Sequence, residues 1–219
     1  MSLELISFDL CPFVQRSVIT LMEKNADFKI TYIDLAAPPK WFLEISPFRK
    51  VPVLKAENQA VFESAAINEY VDEVTPPCLM PQKPITKAIN RAWIEFASEL
   101  LILQYKMSVA DNQKSYEESE SQLLVNLGKL ENKLDNSRYF NGEQISLVDT
   151  AFAPLFLRFS ILFKKLDSEI FDETPKINKW SNTLLSQKSV IKSVNEDFEV
   201  KYLSYICNTS QYMAEKLAN

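Results

Sequence analysis

The run Leu3-Glu4-Leu5-Ile6-Ser7-Phe8-Asp9-Leu10-Cys11-Pro12-Phe13-Val14-Gln15-Arg16 contains the joint on which the reading of this chain turns. Leu3 to Phe8 reads as a strand. From Pro12 to Lys24 the apolar residues Val14, Val18, Leu21 and Met22 fall near one helical face. Cys11 therefore sits where a strand ends and a helix begins. Pro12 suits the first turn, where its missing N–H leaves nothing unpaired. A thiol in that place faces unbonded backbone N–H groups and the positive end of the helix dipole. Both favour the thiolate, so a lowered pKa and raised reactivity are expected of Cys11. On position alone, a buried cysteine serving as a small hydrophobe is an equally good reading.

Outward from this joint, Phe28 to Leu35 reads as a strand, with Phe28, Ile30 and Tyr32 alternating against Lys29 and Thr31. A short helix is expected over Pro39 to Ile45. Strands follow at Val51 to Lys55 and Ala60 to Phe62 around a polar Glu57-Asn58 turn, then a helix over Ser64 to Val74. The order βαβ, connection, ββα implies an α/β domain: a mixed sheet with helices on its faces. Thr75 to Pro84 carries Pro76, Pro77, Pro81 and Pro84, a linker composition. Beyond it only helical patterns occur, over Thr86 to Ser108, Ser115 to Leu134, Ser146 to Lys165, and near Lys176 to Ser186 and Lys201 to Lys216. The expected organisation is an α/β domain over residues 1–77, a linker over 78–86 and an all-α bundle over 87–219. Ser146-Leu147-Val148-Asp149 reads as a capping box for the third long helix.

Composition removes several classes of chemistry. The 219 residues include no histidine, which excludes Ser-His-Asp and Cys-His catalysis and any His-ligated metal site; no metal is expected. Two glycines cannot build a phosphate loop or a dinucleotide fingerprint. The net charge of −5 and the scattered basic residues point to neither nucleic acid nor membrane as partner. Three widely spaced cysteines, Cys11, Cys78 and Cys207, make no disulfide framework and fit a reducing compartment, the cytoplasm. The N-terminus carries Glu4 and Asp9 without a basic region and does not read as a secretory signal. The most apolar stretch, Thr150 to Phe163, contains Pro154 and Arg158 and reads as a buried helix.

Three local features carry chemistry. Cys11 is followed by Pro12, Phe13 and Val14, so no second thiol completes a Cys-x-x-Cys pair. A mixed disulfide at Cys11 must then be resolved by an external thiol, which implies a soluble thiol co-substrate. Proline in the strand pattern Val51-Pro52-Val53-Leu54 belongs at a strand start or bulge. A cis bond there would turn the N–H and C=O of Val51 toward an extended peptide ligand; an ordinary trans proline at an edge is the other reading. In Phe62-Glu63-Ser64, Ser64 is suited to cap the helix that follows, whose first N–H groups bind an anion while Glu63 holds an ammonium. The plain alternative is a capping serine beside a solvated glutamate.

In order and spacing, Cys11-Pro12-Phe13-Val14-Gln15-Arg16, Trp41-Phe42, Ser46-Pro47-Phe48-Arg49-Lys50-Val51-Pro52-Val53-Leu54, Glu63-Ser64-Ala65-Ala66-Ile67 and the Ser146–Asp149 box resemble the glutathione transferase superfamily over essentially the whole chain. The Cys-Pro-Phe start is most similar to the omega class and to dehydroascorbate reductases, which use cysteine. The resemblance implies a thioredoxin-like N-terminal domain, an all-helical C-terminal domain, glutathione beside a catalytic Cys11, and a homodimer. Glutathione is then a co-substrate, and no further cofactor is implied. By position, Val51 beside cis-Pro52 would pair with the cysteinyl backbone of glutathione, and Glu63 and Ser64 would hold its γ-glutamyl amino and carboxylate groups. Phe13 would line the site near the thiol and Leu35 its edge. The family's lysine for the glycine carboxylate aligns with Pro38, leaving Lys40 and Lys50 as replacements. Arg49 stands where the family has glycine, so a positive φ there would strain the turn.

The activity so implied is thiol transfer: deglutathionylation or dehydroascorbate reduction through a mixed disulfide at Cys11, with conjugation of a small electrophile a less favoured variant. A non-catalytic binding protein, as in family members that bind RNA polymerase, is the reading from another class. Pro38 and Arg49 favour it, and Cys11-Pro12-Phe13 argues against it. Tyr105, Phe156 and Phe159 are candidates to wall a second-substrate pocket, and each suits a helix core as well.

Overall fold

The computed structural model describes residues 2–166, 171 and 173–218. Strand β1 (Leu3–Ser7) runs through the sheet interior because both its faces are apolar: Leu3, Leu5 and Ile6 are buried. It pairs in parallel with β2 (Phe28–Tyr32) and antiparallel with β3 (Val53–Ala56), placing Leu5 opposite Ile30 and Leu54. Strand β4 (Gln59–Phe62) pairs antiparallel with β3, giving the order β2-β1-β3-β4. Glu57 and Asn58 join them with φ of 50° and 62°, the double left-handed pair of a tight hairpin. Strand β2 stops before Leu35, since the Asp34 carboxylate takes the Ala36 N–H at 2.8 Å and turns the chain.

Helices α1 (Pro12–Glu23) and α3 (Ser64–Val74) pack together beside this sheet, and α2 (Lys40–Ile45) inserts Phe42 into the same core. Helix α1 corrects the single apolar face expected of it: every residue from Val14 to Leu21 is buried. Val14, Val18 and Leu21 join the sheet core, while Ile19 joins the core of the helical domain. Several of its polar residues hydrogen-bond across that boundary, while Arg16 Nη2 and Ser17 Oγ are buried without a partner among the described residues. Arg16 Nε donates to the Ala151 carbonyl at 2.9 Å, and Thr20 Oγ1 to Thr150 Oγ1 at 3.0 Å.

The helical domain contains α4 (Pro84–Ser108), α5 (Gln113–Lys133), α6 (Leu147–Leu166), α7 (Pro175–Leu185), α8 (Lys188–Ile191), α9 (Phe198–Thr209) and α10 (Gln211–Ala218). Helix α6 is buried almost throughout, which accounts for its apolar sequence. Among the described residues, no helix is long and apolar enough to cross a membrane. The pattern over residues 201–216 divides into two helices. Ser210 is buried and extended, gives its hydroxyl to the Ala110 carbonyl at 2.5 Å, and accepts the Met213 N–H at 3.0 Å. The short helix α8 carries too few periods to be read from sequence.

Candidate active site

The end of β1 and the first turn of α1 deliver Cys11 to a cleft of about 630 Å³ between the sheet domain and helices α4, α6 and α9. That volume suits a small organic ligand. The thiol points at the Val51 carbonyl, with Sγ 3.7 Å from the oxygen. The Val51-Pro52 peptide is cis, closing the alternative left open by the sequence. The loop before it is held by buried Ser46, whose hydroxyl donates to the Lys50 carbonyl at 2.9 Å and accepts the Lys50 N–H at 3.0 Å.

Cys11, Phe13, Leu35, Lys50, Val51, Pro52, Glu63 and Ser64 line this one cleft, and Arg49 lies beside them. Lys40 does not: it opens α2, is exposed, and is absent from the cleft wall. Glu63, not Ser64, is the N-cap residue of α3, with φ of 68°; Ser64 is the first helical residue. The Glu63 carbonyl accepts the Ile67 N–H at 2.9 Å as the first bond of the helix, and Ser64 and Ala65 in its first turn line the cleft. Tyr105 lines the cleft, whereas Phe156 and Phe159 are wholly buried in the helical core.

The thiol does not have the lowered pKa expected of it. Burial pushes Cys11 up; the N–H groups of Val14 and Phe13, then the charges of Arg158 and Arg16, pull it down, and burial wins. Cys11 keeps some contact with solvent. Burial also lowers Arg158 to about 10 and Arg16 to about 9, and both remain cationic at neutral pH.

The helical wall was largely invisible in sequence. Glu95, Ser98 and Gln104 of α4, Arg158 of α6, and Tyr202 and Tyr205 of α9 all reach the cleft. Buried Gln104 donates to the Tyr202 hydroxyl at 2.6 Å, and the Tyr105 and Tyr205 hydroxyls meet at 3.0 Å, which raises Tyr105 to about 12. One signal was available: Arg158 is the lone charge in the apolar run Thr150 to Phe163.

Two family models match this chain: the glutathione S-transferase N-terminal domain over residues 10–74 and the glutathione S-transferase C-terminal domain over residues 93–188. The chain belongs to the glutathione S-transferase family. Glutathione S-transferase omega-1 of Sus scrofa is 30% identical over 188 residues, 84% of this transferase and 77% of the relative. The probable glutathione S-transferase DHAR2, chloroplastic, of Oryza sativa subsp. japonica is 29% identical over 186 residues, 84% of this chain and 65% of that one. Among solved structures, glutathione transferase Omega 3C from Trametes versicolor superposes with a TM-score of 0.80 at 26% identity, over 90% of each chain. The thioredoxin-like domain followed by a helical domain is thus the family fold, and the relatives of this transferase include omega-class and DHAR members.

Proposed function

We propose that this transferase is a cysteine-type, glutathione-dependent thiol transferase. The observation that carries the reading is the Cys11 thiol inside a ligand-sized cleft, aimed at the Val51 carbonyl and beside the first turn of α3. Extended glutathione would pair its cysteinyl backbone with Val51. Its γ-glutamyl carboxylate would rest on the N–H groups of Ser64 and Ala65, and its ammonium on Glu63. Lys50, beside Arg49 in the cleft wall, is suited to the glycine carboxylate, whereas Lys40 is outside that wall. Phe13 and Leu35 would cover the peptide.

The Cys11 thiolate attacks the glutathionyl sulfur of a mixed disulfide. An S–S bond forms between Cys11 and glutathione as the old S–S bond breaks, and the substrate thiolate leaves and takes a proton. A second glutathione, as thiolate, attacks the same glutathionyl sulfur, releasing glutathione disulfide and the Cys11 thiolate. Electrons balance, since the incoming glutathione sulfur is oxidised to the disulfide level as the substrate sulfur is reduced to a thiol, the first glutathionyl sulfur remaining in a disulfide throughout. Reduction of dehydroascorbate is the related use of the site. The polar wall of Gln104, Arg158 and Tyr202 suits such hydrogen-bonding substrates better than a bare aromatic electrophile. The chain is proposed to act as a cytoplasmic homodimer.

The test is iodoacetamide alkylation of the protein with and without millimolar glutathione, against a Cys11→Ser control, followed by assay with a glutathionylated peptide. Cys11-dependent alkylation, protection by glutathione and release of glutathione disulfide are expected. Absence of both protection and binding would favour a non-catalytic binding protein instead. The specific observation on that side is Arg49, whose backbone is left-handed at φ of 55° in the cleft wall.

A further inference from the structure

Arg158 is 2% exposed in the middle of α6, yet every hydrogen-bond partner of its guanidinium is neutral. Nη1 donates to Gln15 Oε1 at 2.7 Å and to the Pro154 carbonyl at 2.9 Å; Nη2 donates to the Leu10 carbonyl at 2.8 Å. The rings of Phe198 and Tyr202 lie 5.2 and 5.7 Å from its central carbon. A buried cation normally needs a paired anion, because desolvation is costly. The groups here able to become one are Tyr202 and the Cys11 thiol, and the charge of Arg158 draws the thiol toward ionisation. Two of the three grips bracket that cysteine: Leu10 precedes it, and Gln15 lies one helical turn after it. Gln15 is fixed in turn by Ser193, at 2.9 Å.

We propose that Arg158 is the positioning residue of the Cys11 thiol, clamping the strand-to-helix turn on both sides of the cysteine from the opposite domain. This rests on Cys11 being the nucleophile. The other charged or titratable groups around the thiol are Arg16 of α1, Arg49 and Lys50 of the loop before β3, Glu63 before α3, Glu95 and Tyr105 of α4, and Tyr202 and Tyr205 of α9. Arg158 alone among them is hydrogen-bonded both to the residue before Cys11 and to the helix after it. Loss of its charge raises the thiol's ionisation midpoint, and loss of its fork loosens the turn.

In a Cys78→Ser, Cys207→Ser background, the alkylation rate of Cys11 against pH, the melting temperature and the rate of exchange with a glutathionylated peptide are compared for Arg158→Met, Arg158→Lys and Gln15→Met. Arg158→Met is expected to move the midpoint upward and slow alkylation at neutral pH about tenfold, the usual size of one lost neighbouring charge. Arg158→Lys restores the midpoint but not the exchange rate, because an ammonium cannot grip both sides of the turn. Gln15→Met keeps the midpoint and slows exchange. Folded variants that all keep the parent's midpoint and exchange rate overturn the proposal, as does an Arg158→Lys variant indistinguishable from the parent in exchange. If Arg158→Met does not fold, the other two variants decide the matter. A parent that alkylates at Cys11 but exchanges no glutathionyl disulfide fails the thiol transferase reading instead, and the midpoints of the Arg158 variants still decide the positioning role.

Discussion

Arg49 holds a left-handed backbone two residues before Val51, a conformation that costs a side-chain-bearing residue about 1–2 kcal/mol. Glycine would remove that strain while adding about 0.4–1 kcal/mol of unfolded-chain freedom. Arg49→Gly is therefore expected to stabilise the protein by about 0.5–1 kcal/mol, read as a higher urea midpoint with an unchanged slope. A destabilised variant would mean that the arginine side chain makes contacts outweighing the strain. Cys11 sets the second expectation at this scale. Its neutral form is the protonated one, so burial raises its pKa and leaves it protonated further into the alkaline range. Alkylation of the ligand-free protein should then climb with pH and reach its midpoint above the ordinary thiol range. A midpoint below that range would show that the N–H groups and arginines outweigh burial.

Helix α6 begins on a single carboxylate. Asp149 is wholly buried and accepts Ser146 N–H at 2.7 Å, Ser146 Oγ at 2.6 Å, Phe140 N–H at 2.9 Å and Trp180 Nε1 at 2.8 Å. Of the capping box read from Ser146 and Asp149, the aspartate's reach back to the Ser146 N–H is present, while the Ser146 hydroxyl donates to that same carboxylate, and the carboxylate also ties down the preceding turn and α7. Asp149→Ala would strand four buried donors at about 1 kcal/mol or more each, so a loss of about 4 kcal/mol or more is expected in denaturant unfolding. Asp149→Asn keeps one acceptor oxygen and should lose less. Equal losses in the two variants would mean that packing, not the hydrogen bonds, carries the effect.

The connection between the two domains is fastened to the sheet domain by a buried ion pair within that domain. Lys24 at the end of α1 lies 2.7 Å from Asp72 in α3, and both are almost completely enclosed. Asp72 also takes the N–H groups of Leu79 and Met80 at 2.6 and 3.0 Å, and the Lys24 ammonium reaches the carbonyl of Pro77. The proline-rich connection, with its cis Pro76-Pro77 peptide, is thus tied to the sheet domain. Lys24→Met would leave the Asp72 carboxylate buried without its cation, a loss of about 3–5 kcal/mol. The double variant Lys24→Met, Asp72→Leu should recover part of that. A single variant as stable as the parent in urea would show that water reaches Asp72.

The gathering of Phe13, Val51, Pro52, Glu63 and Ser64 in one site was implied only by the family resemblance, whereas the strand and helix order, the linker composition and the strand-to-helix placement of Cys11 were legible in the sequence itself. Each rests on neighbours close along the chain, where periodicity, turn chemistry and proline's missing N–H act directly. The pairing of α1 with α6, the cis state of Val51-Pro52, the exclusion of Lys40 and the polar wall of Gln104, Arg158 and Tyr202 were decided by the tertiary structure. So was the direction of the Cys11 pKa. The local N–H groups and dipole that pull it down are visible in the sequence, but the burial that pushes it up comes from residues that meet only when the two domains close around the thiol.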